Sequence, residues 1–190
     1  MPDVKIVLMR HGRPELRAEL PIYAREFKGW VSRYDHAPLA RDSTPTGEAI
    51  SFARAASTVF CSSLLRSSMS AEMLDKNATL NADEGLVEAG IPYSEWGVIK
   101  LPPKYWAVLF RLFWFLGYSN HSESYSDAKS RAILAAAKLA HHSEVSGPVL
   151  YVGHGIFNRL VAKELKKLGW SGPGNISSNY WGCSVYRKCI

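Results

Sequence analysis

Two short apolar runs, Ile6-Val7-Leu8-Met9 and Val149-Leu150-Tyr151-Val152, each end in a histidine beside glycine, and no other feature constrains the fold as strongly. The first stops at Arg10-His11-Gly12-Arg13-Pro14 and the second at Gly153-His154-Gly155. A continuous apolar run of this length reads as a buried strand. Glycine permits a tight turn or close approach to a ligand, and Pro14 stops the first strand from continuing. Both histidines are therefore expected at one edge of a parallel sheet, the edge where open α/β folds place their chemistry.

The chain between them alternates helix and strand signals. Thr44-Pro45-Thr46-Gly47-Glu48 is a helix start, with Thr44 as cap, Pro45 at the first helical position and Glu48 near the positive end of the dipole. That helix is predicted to run to about Ser57. Thr58 to Cys61 follows as a second strand, and then a helix carries Arg66, Met69, Met73 and Leu74. Thr79 to Glu88 holds a third short strand. The charged and aromatic stretch Leu16 to Ser43 has no clean period and reads as a loop with at most one irregular helix.

Past the break at Pro102-Pro103, Tyr105 to Tyr118 is the most apolar segment. It is too short to span a membrane and carries Arg111, so it reads as a helix covering the core. Its apolar residues occupy nearly every face, which leaves contact with a second copy, a homodimer, as its other use. Ser126 to His142 has a clear helical stripe, Phe157 to Leu168 is a helix ended by Gly169, and Cys183 to Lys188 is a last, edge strand. With 190 residues and no repeat or linker, residues 1–190 read as a single α/β domain.

The formal charge of +6 favours an anionic partner, and because basic residues are spread along the chain a small acidic substrate is expected instead of nucleic acid. Three cysteines, Cys61, Cys183 and Cys189, have neither paired nor zinc-ribbon spacing, and the N-terminal apolar run is too short for a signal peptide. A cytoplasmic location is the expectation. His141 and His142 at a helix end, and His36 and His121 in loops, need no ligand role.

If the three strands are neighbours, His11 and His154 converge with Arg10 and Arg66. These groups describe a phosphoryl pocket: arginine offers paired donors to phosphoryl oxygens, and an imidazole either attacks phosphorus or donates to an oxygen. Gly153 and Gly155 let main-chain amides approach the same anion. Glu88 is the candidate proton donor.

Taken in order, Leu8-Met9-Arg10-His11-Gly12, Thr44-Pro45-Thr46-Gly47, Ser63-Leu64-Leu65-Arg66, Glu88 and Val152-Gly153-His154-Gly155 resemble the histidine phosphatase superfamily, also called the phosphoglycerate mutase-like family. The resemblance implies a three-layer fold, a mostly parallel central sheet with helices on both faces. It implies His11 as a nucleophile forming a phosphohistidine, Arg10, Arg66 and His154 as holders of the phosphoryl group, Glu88 as general acid and base, and neither metal nor other cofactor. Many relatives carry Glu-Thr where this chain has Arg13-Pro14, which leaves the substrate contacts open. Leu86 to Gly90 matches loosely, so Glu95, and less so Glu84, stay as alternative proton donors. Arg13, Glu95 and Asn175 are candidate substrate contacts. A chain of this length has little room for the insertions of mutases, which favours a phosphatase acting on a small phosphorylated substrate. A phosphate-binding sensor or scaffold with the same pocket, and a phosphomutase, are the alternatives.

Overall fold

The computed structural model describes residues 4–16, 20–75 and 80–188. In chain order it holds β1 (Lys5–Arg10), β2 (Ile22–Tyr23), α1 (Phe27–Asp35), α2 (Gly47–Ala55), β3 (Thr58–Ser62), α3 (Leu65–Leu74) and β4 (Leu80–Asp83). There follow β5 (Lys100–Leu101), α4 (Pro103–Phe115), α5 (Tyr125–Ser146), β6 (Val149–Gly153), α6 (Gly155–Lys167) and β7 (Cys183–Arg187). The main sheet runs in the order β4-β3-β6-β1-β7; its strands are parallel except for β7, which pairs antiparallel with β1 at the edge. β2 and β5 form a separate small ribbon.

The apolar runs are continuous because both faces of the sheet are covered. Successive side chains point to opposite faces: Ile6, Leu8, Val149 and Tyr151 join one core with α5 and α6. Val7, Met9, Leu150 and Val152 join the other with α2 and α3. Small residues on α5, among them Ala128, Ala132 and Ala136, are fully buried and allow it to lie close against the sheet. Ser124 caps α5 in a reciprocal box with Asp127.

Three expectations shift. The cap of α2 is Thr46, not Thr44: its hydroxyl accepts from the Ala49 amide at 3.1 Å, and this register buries Ala49 and Ala53. The helix stops at Ala55, because Ala56 turns extended and the Ser57 amide bonds Pro148 O at 2.7 Å to start β3. The third strand ends at Asp83; the acidic residues after it form a single 3-10 turn, Glu84–Leu86, capped by Asp83. Thr79 and Cys189 lie outside the described residues.

The stretch 16–43 contains a regular helix, α1, which buries Phe27 against Phe110 of α4, with ring centroids 5.2 Å apart. α4 starts at Pro103 and buries Trp106, Phe110 and Trp114, one stripe at a spacing of four. Its other side carries Val108, Leu112 and Phe115, all about half exposed. No helix among the described residues is long and apolar enough to cross a membrane.

Candidate active site

Strand pairing brings the two histidines together. β1 and β6 are adjacent and parallel with Arg10 opposite Gly153, so the next residues leave the sheet side by side. The His11 and His154 rings stand 5.1 Å apart. β3 flanks β6 on its other side and ends at Ser62, and Arg66 sits in the first turn of α3 directly beyond it.

The hydrogen-bond network assigns the proton on each ring. His11 Nδ1 donates to Gly12 O at 2.7 Å, since a carbonyl can only accept. Its Nε2 therefore carries the lone pair, and Arg66 Nε donates to it at 3.2 Å. Burial, followed by the Arg66 charge, lowers the His11 pKa to about 3 against the partial opposition of the Gly12 carbonyl. His11 is thus a neutral, oriented imidazole with its nucleophilic nitrogen toward Arg66. For His154, the fully buried Ser62 hydroxyl accepts from Leu64 N at 3.3 Å and has no acceptor among the described residues except Nε2, 2.6 Å away, so its proton goes there. The ring proton of His154 is then on Nδ1. Burial, with the neighbouring His11, Arg66 and Arg10 charges, holds this imidazole far below its ordinary pKa.

Two buried nitrogens here have no partner among the described residues: His154 Nδ1 and Arg10 Nε. Buried donors are almost always satisfied, so a pair of orphans beside His11 marks where an anion belongs. Arg10 lies over the Tyr180 ring, 4.2 Å from its centroid, and donates to Ser178 O. Arg66 lies over Tyr34 at 4.6 Å and pairs with Asp35 at 3.0 Å. Burial and the adjoining Tyr180 push the Tyr34 hydroxyl up to about 12, which keeps it protonated.

Serine and asparagine side chains fasten this edge. Asn158 donates to Met9 O at 3.0 Å and accepts from His154 N at 3.1 Å, tying β1 to β6. Any Cβ on Gly153 would collide with that amide, so the position requires glycine. Ser67 donates to Val152 O at 2.6 Å, and Ser70, bonded to Arg66 O, accepts from Gly12 N at 2.8 Å.

Glu88 reaches the site differently. It lies five residues beyond β4, yet its Oε1 accepts from Phe157 N at 2.8 Å and Ala89 N at 2.9 Å, and its Oε2 from Ile156 N at 3.2 Å. The carboxylate thereby sits at the start of α6, beside Gly155 and Arg10. The segment is held by side chains: Arg131 of α5 donates to Gly85 O at 3.0 Å and Val87 O at 2.8 Å, and Arg111 of α4 to Ala89 O and Gly90 O. Glu123 joins them, accepting from Arg131 at 2.6 Å and from Gly90 N at 2.8 Å.

Arg10, Arg66, Glu88 and Gly155 line one cavity of about 780 Å³. His11 and His154 are buried and do not themselves line it; Arg66, which does, bonds His11 at 3.2 Å. Glu95 does not line it either; its carboxylate is exposed and 3.6 Å from His121. Arg13 pairs with Asp42 and also lies outside it, and Asn175 lines a neighbouring groove along α6 with Lys163 and Lys166. Glu84 lies in the 3-10 turn before Glu88. The sequence reading missed Asp35, Tyr34, Ser62, Tyr180, Arg131 and Asn158. For Asn158 there was a signal, its place four residues after His154 on the same helix turn; the others reach the site only through the tertiary placement of α1, β3, α5 and the loop before β7.

The family model described as histidine phosphatase superfamily (branch 1) matches residues 45–187. The chain belongs to the histidine phosphatase superfamily. His11 precedes the matched span and enters the site through the pairing of β1 with β6. No curated protein matches the chain in sequence. Similar solved structures include Bacillus stearothermophilus YhfR, at 19% identity and TM-score 0.61 over 95% of this chain and 89% of that one. Phosphoserine phosphatase from Entamoeba histolytica in complex with 3-phosphoglyceric acid shares 14% identity at TM-score 0.59, with the same coverages of 95% and 89%. Mycobacterial glucosyl-3-phosphoglycerate phosphatase, in a complex with VO3, shares 21% at TM-score 0.58 over 86% of this chain and 82% of that one. These are likenesses of fold, a mixed five-stranded sheet flanked by helices.

Proposed function

We propose that the protein is a metal-independent phosphomonoester hydrolase working through a phosphohistidine at His11. Membership of the superfamily supports phosphoester hydrolysis in general. The observation that carries the finer reading is the pair of unpartnered buried donors, His154 Nδ1 and Arg10 Nε, beside an imidazole whose Nε2 bears a lone pair.

In this reading Nε2 of His11 attacks phosphorus as the bond to the leaving oxygen breaks, and Glu88 gives that oxygen its proton. Arg10, Arg66 and His154 hold the phosphoryl oxygens throughout, where charge spreads in the transition state. Water then attacks the phosphohistidine, Glu88 takes its proton, the P–N bond breaks and inorganic phosphate leaves. The positive charge that phosphoryl transfer needs comes from the two guanidinium groups.

Rapid quenching of a reaction with 4-nitrophenyl phosphate tests this: acid-labile phosphate is trapped on the wild type and is absent from His11→Ala. Full turnover by His11→Ala would refute it. One observation favours a competing reading, a phosphate sensor: both Glu88 oxygens are engaged by main-chain amides. That reading requires vanadate to raise the melting temperature while no phosphoester is hydrolysed at any pH.

A further inference from the structure

The cavity that Arg10, Arg66 and Glu88 line is far larger than a phosphoryl group, and most of its wall is apolar. Beside those charged groups the walls carry Val31 of α1, Leu64, Ile156 of α6, and Val108, Leu112 and Phe115 of α4. The three α4 residues fall at spacings of four and three, so they share one helix face, opposite the face that buries Trp106, Phe110 and Trp114. They are 60%, 55% and 49% exposed, and that exposure opens into the cavity.

Several polar groups on the walls are already committed. Asp35 pairs with Arg66, Glu88 accepts three amides, and Arg111 donates to Ala89 O and Gly90 O while lying 4.6 Å from the Trp114 ring centroid. Among the described residues no other carboxylate and no asparagine, glutamine, threonine or histidine side chain lines the cavity; its remaining polar side chains are Trp30, whose indole nitrogen has no partner among the described residues, Tyr34, Lys104, Arg159 and Ser178. Most of these are donors, so a sugar or polyol would find few side-chain acceptors for the protons of its hydroxyls.

We propose that the cavity takes phosphomonoesters of a bulky apolar alcohol, with the phosphoryl group on His11 and the hydrocarbon body along the outer face of α4. The proposal rests on the hydrolase reading for the placement of the phosphoryl end. Continuity carries the assignment: the cationic end and the apolar walls are one cavity, so a ligand anchored at the arginines has its body against Leu64, Val108 and Leu112.

The test uses n-alkylphosphonates from ethyl to hexyl, whose C–P bond is not hydrolysed, measured by calorimetry, beside turnover of the matching alkyl phosphates. These alcohols have closely similar acidity, so chain length varies burial and leaves the leaving group alike. The affinity is expected to rise about threefold per methylene, on the order of 50- to 100-fold from ethyl to hexyl. In the double variant Val108→Ser, Leu112→Ser that ratio should fall below about tenfold. Both side chains lie outside the packed core, so the fold tolerates the change. A flat or falling series in the wild type, or an unchanged ratio in the double variant, overturns the proposal. A rising series of phosphonate affinities with no hydrolysis of any alkyl phosphate supports the apolar cavity while refuting the hydrolase reading.

Discussion

The two halves of the site are built by different means. His11, His154, Ser62 and Arg66 stand at the ends of three paired strands and in the first turn of the helix after one of them, so main-chain hydrogen bonds set their relative positions. Glu88 stands on an irregular segment kept in place by Arg131, Arg111, Glu123 and Tyr151, side chains 23 to 63 residues away in sequence. A strand edge is fixed by the whole sheet, whereas a segment tied mainly by four side chains is only as firm as those contacts. The nucleophile half should therefore be insensitive to distant substitutions, and the proton-donor half should depend on them.

The largest effect that exposes this contrast is Arg66→Ala. It removes a phosphoryl clamp and strips Asp35 of its partner, and kcat/KM should fall on the order of 10³-fold for every substrate, good or poor leaving group alike. A drop confined to poor leaving groups would place Arg66 on the wrong half.

Glu88→Gln should separate substrates by leaving group. Alkyl phosphates, which need a proton, should lose about 10²- to 10³-fold, while 4-nitrophenyl phosphate should still give a burst of nitrophenol as the phosphoenzyme accumulates. Equal losses for both would remove Glu88 from the proton-donor role.

Arg131→Met reaches the same half from a distance. It keeps an apolar stem beside Phe157, whose ring centroid Arg131 faces at 4.0 Å, but frees Gly85 O and Val87 O. The outcome should copy Glu88→Gln in kind at smaller size, about tenfold to 10²-fold on alkyl phosphates. An equal effect on both substrate classes would show Arg131 to be a general fold contact and erase the contrast between the halves.

Ser62→Ala should be smaller again. It leaves His154 Nε2 without its donor and frees the choice of tautomer, lowering kcat about fivefold to tenfold and stability by about 1–2 kcal/mol, read by urea unfolding.

The pH dependence belongs to the nucleophile half. His11 has a folded pKa of about 3 against an ordinary value of 6.5 in the unfolded chain, so between these values the unfolded chain binds more protons. The stabilisation it contributes is present above pH 6.5 and is lost as pH falls toward 3; His154 acts in the same direction. Urea midpoints should fall across that window in the wild type and fall less in His11→Gln. After allowance for the second ionisation of the substrate near about pH 6, no enzyme group with a histidine's ordinary pKa should break the kcat/KM profile.

The same contrast explains what the chain revealed before its fold was known. The strand runs ending at His11 and His154, and the helix start carrying Arg66, are local patterns, and the parallel sheet followed from them. α1 was passed over although Phe27, Trp30, Val31 and Tyr34 fall at the i, i+3, i+4, i+7 spacing of one helix face; Gly29 and the charged residues around it obscured that stripe, and the helix packs on Phe110. The apolar outer face of α4 was legible as a pattern but not as a cavity wall, since only the placement of α1 and α6 shows what it faces. Glu88 could not be separated from Glu95 by spacing, because the contacts that fix it come from α4, α5 and the loop before α5.

The central claim, attack by His11, is tested most directly by rapid-quench trapping with a ³²P-labelled phosphomonoester followed by peptide mapping. The account predicts acid-labile, base-stable label on the peptide containing His11 within a single turnover, decaying as inorganic phosphate appears. Turnover with no label at His11, or label on another residue, would contradict it.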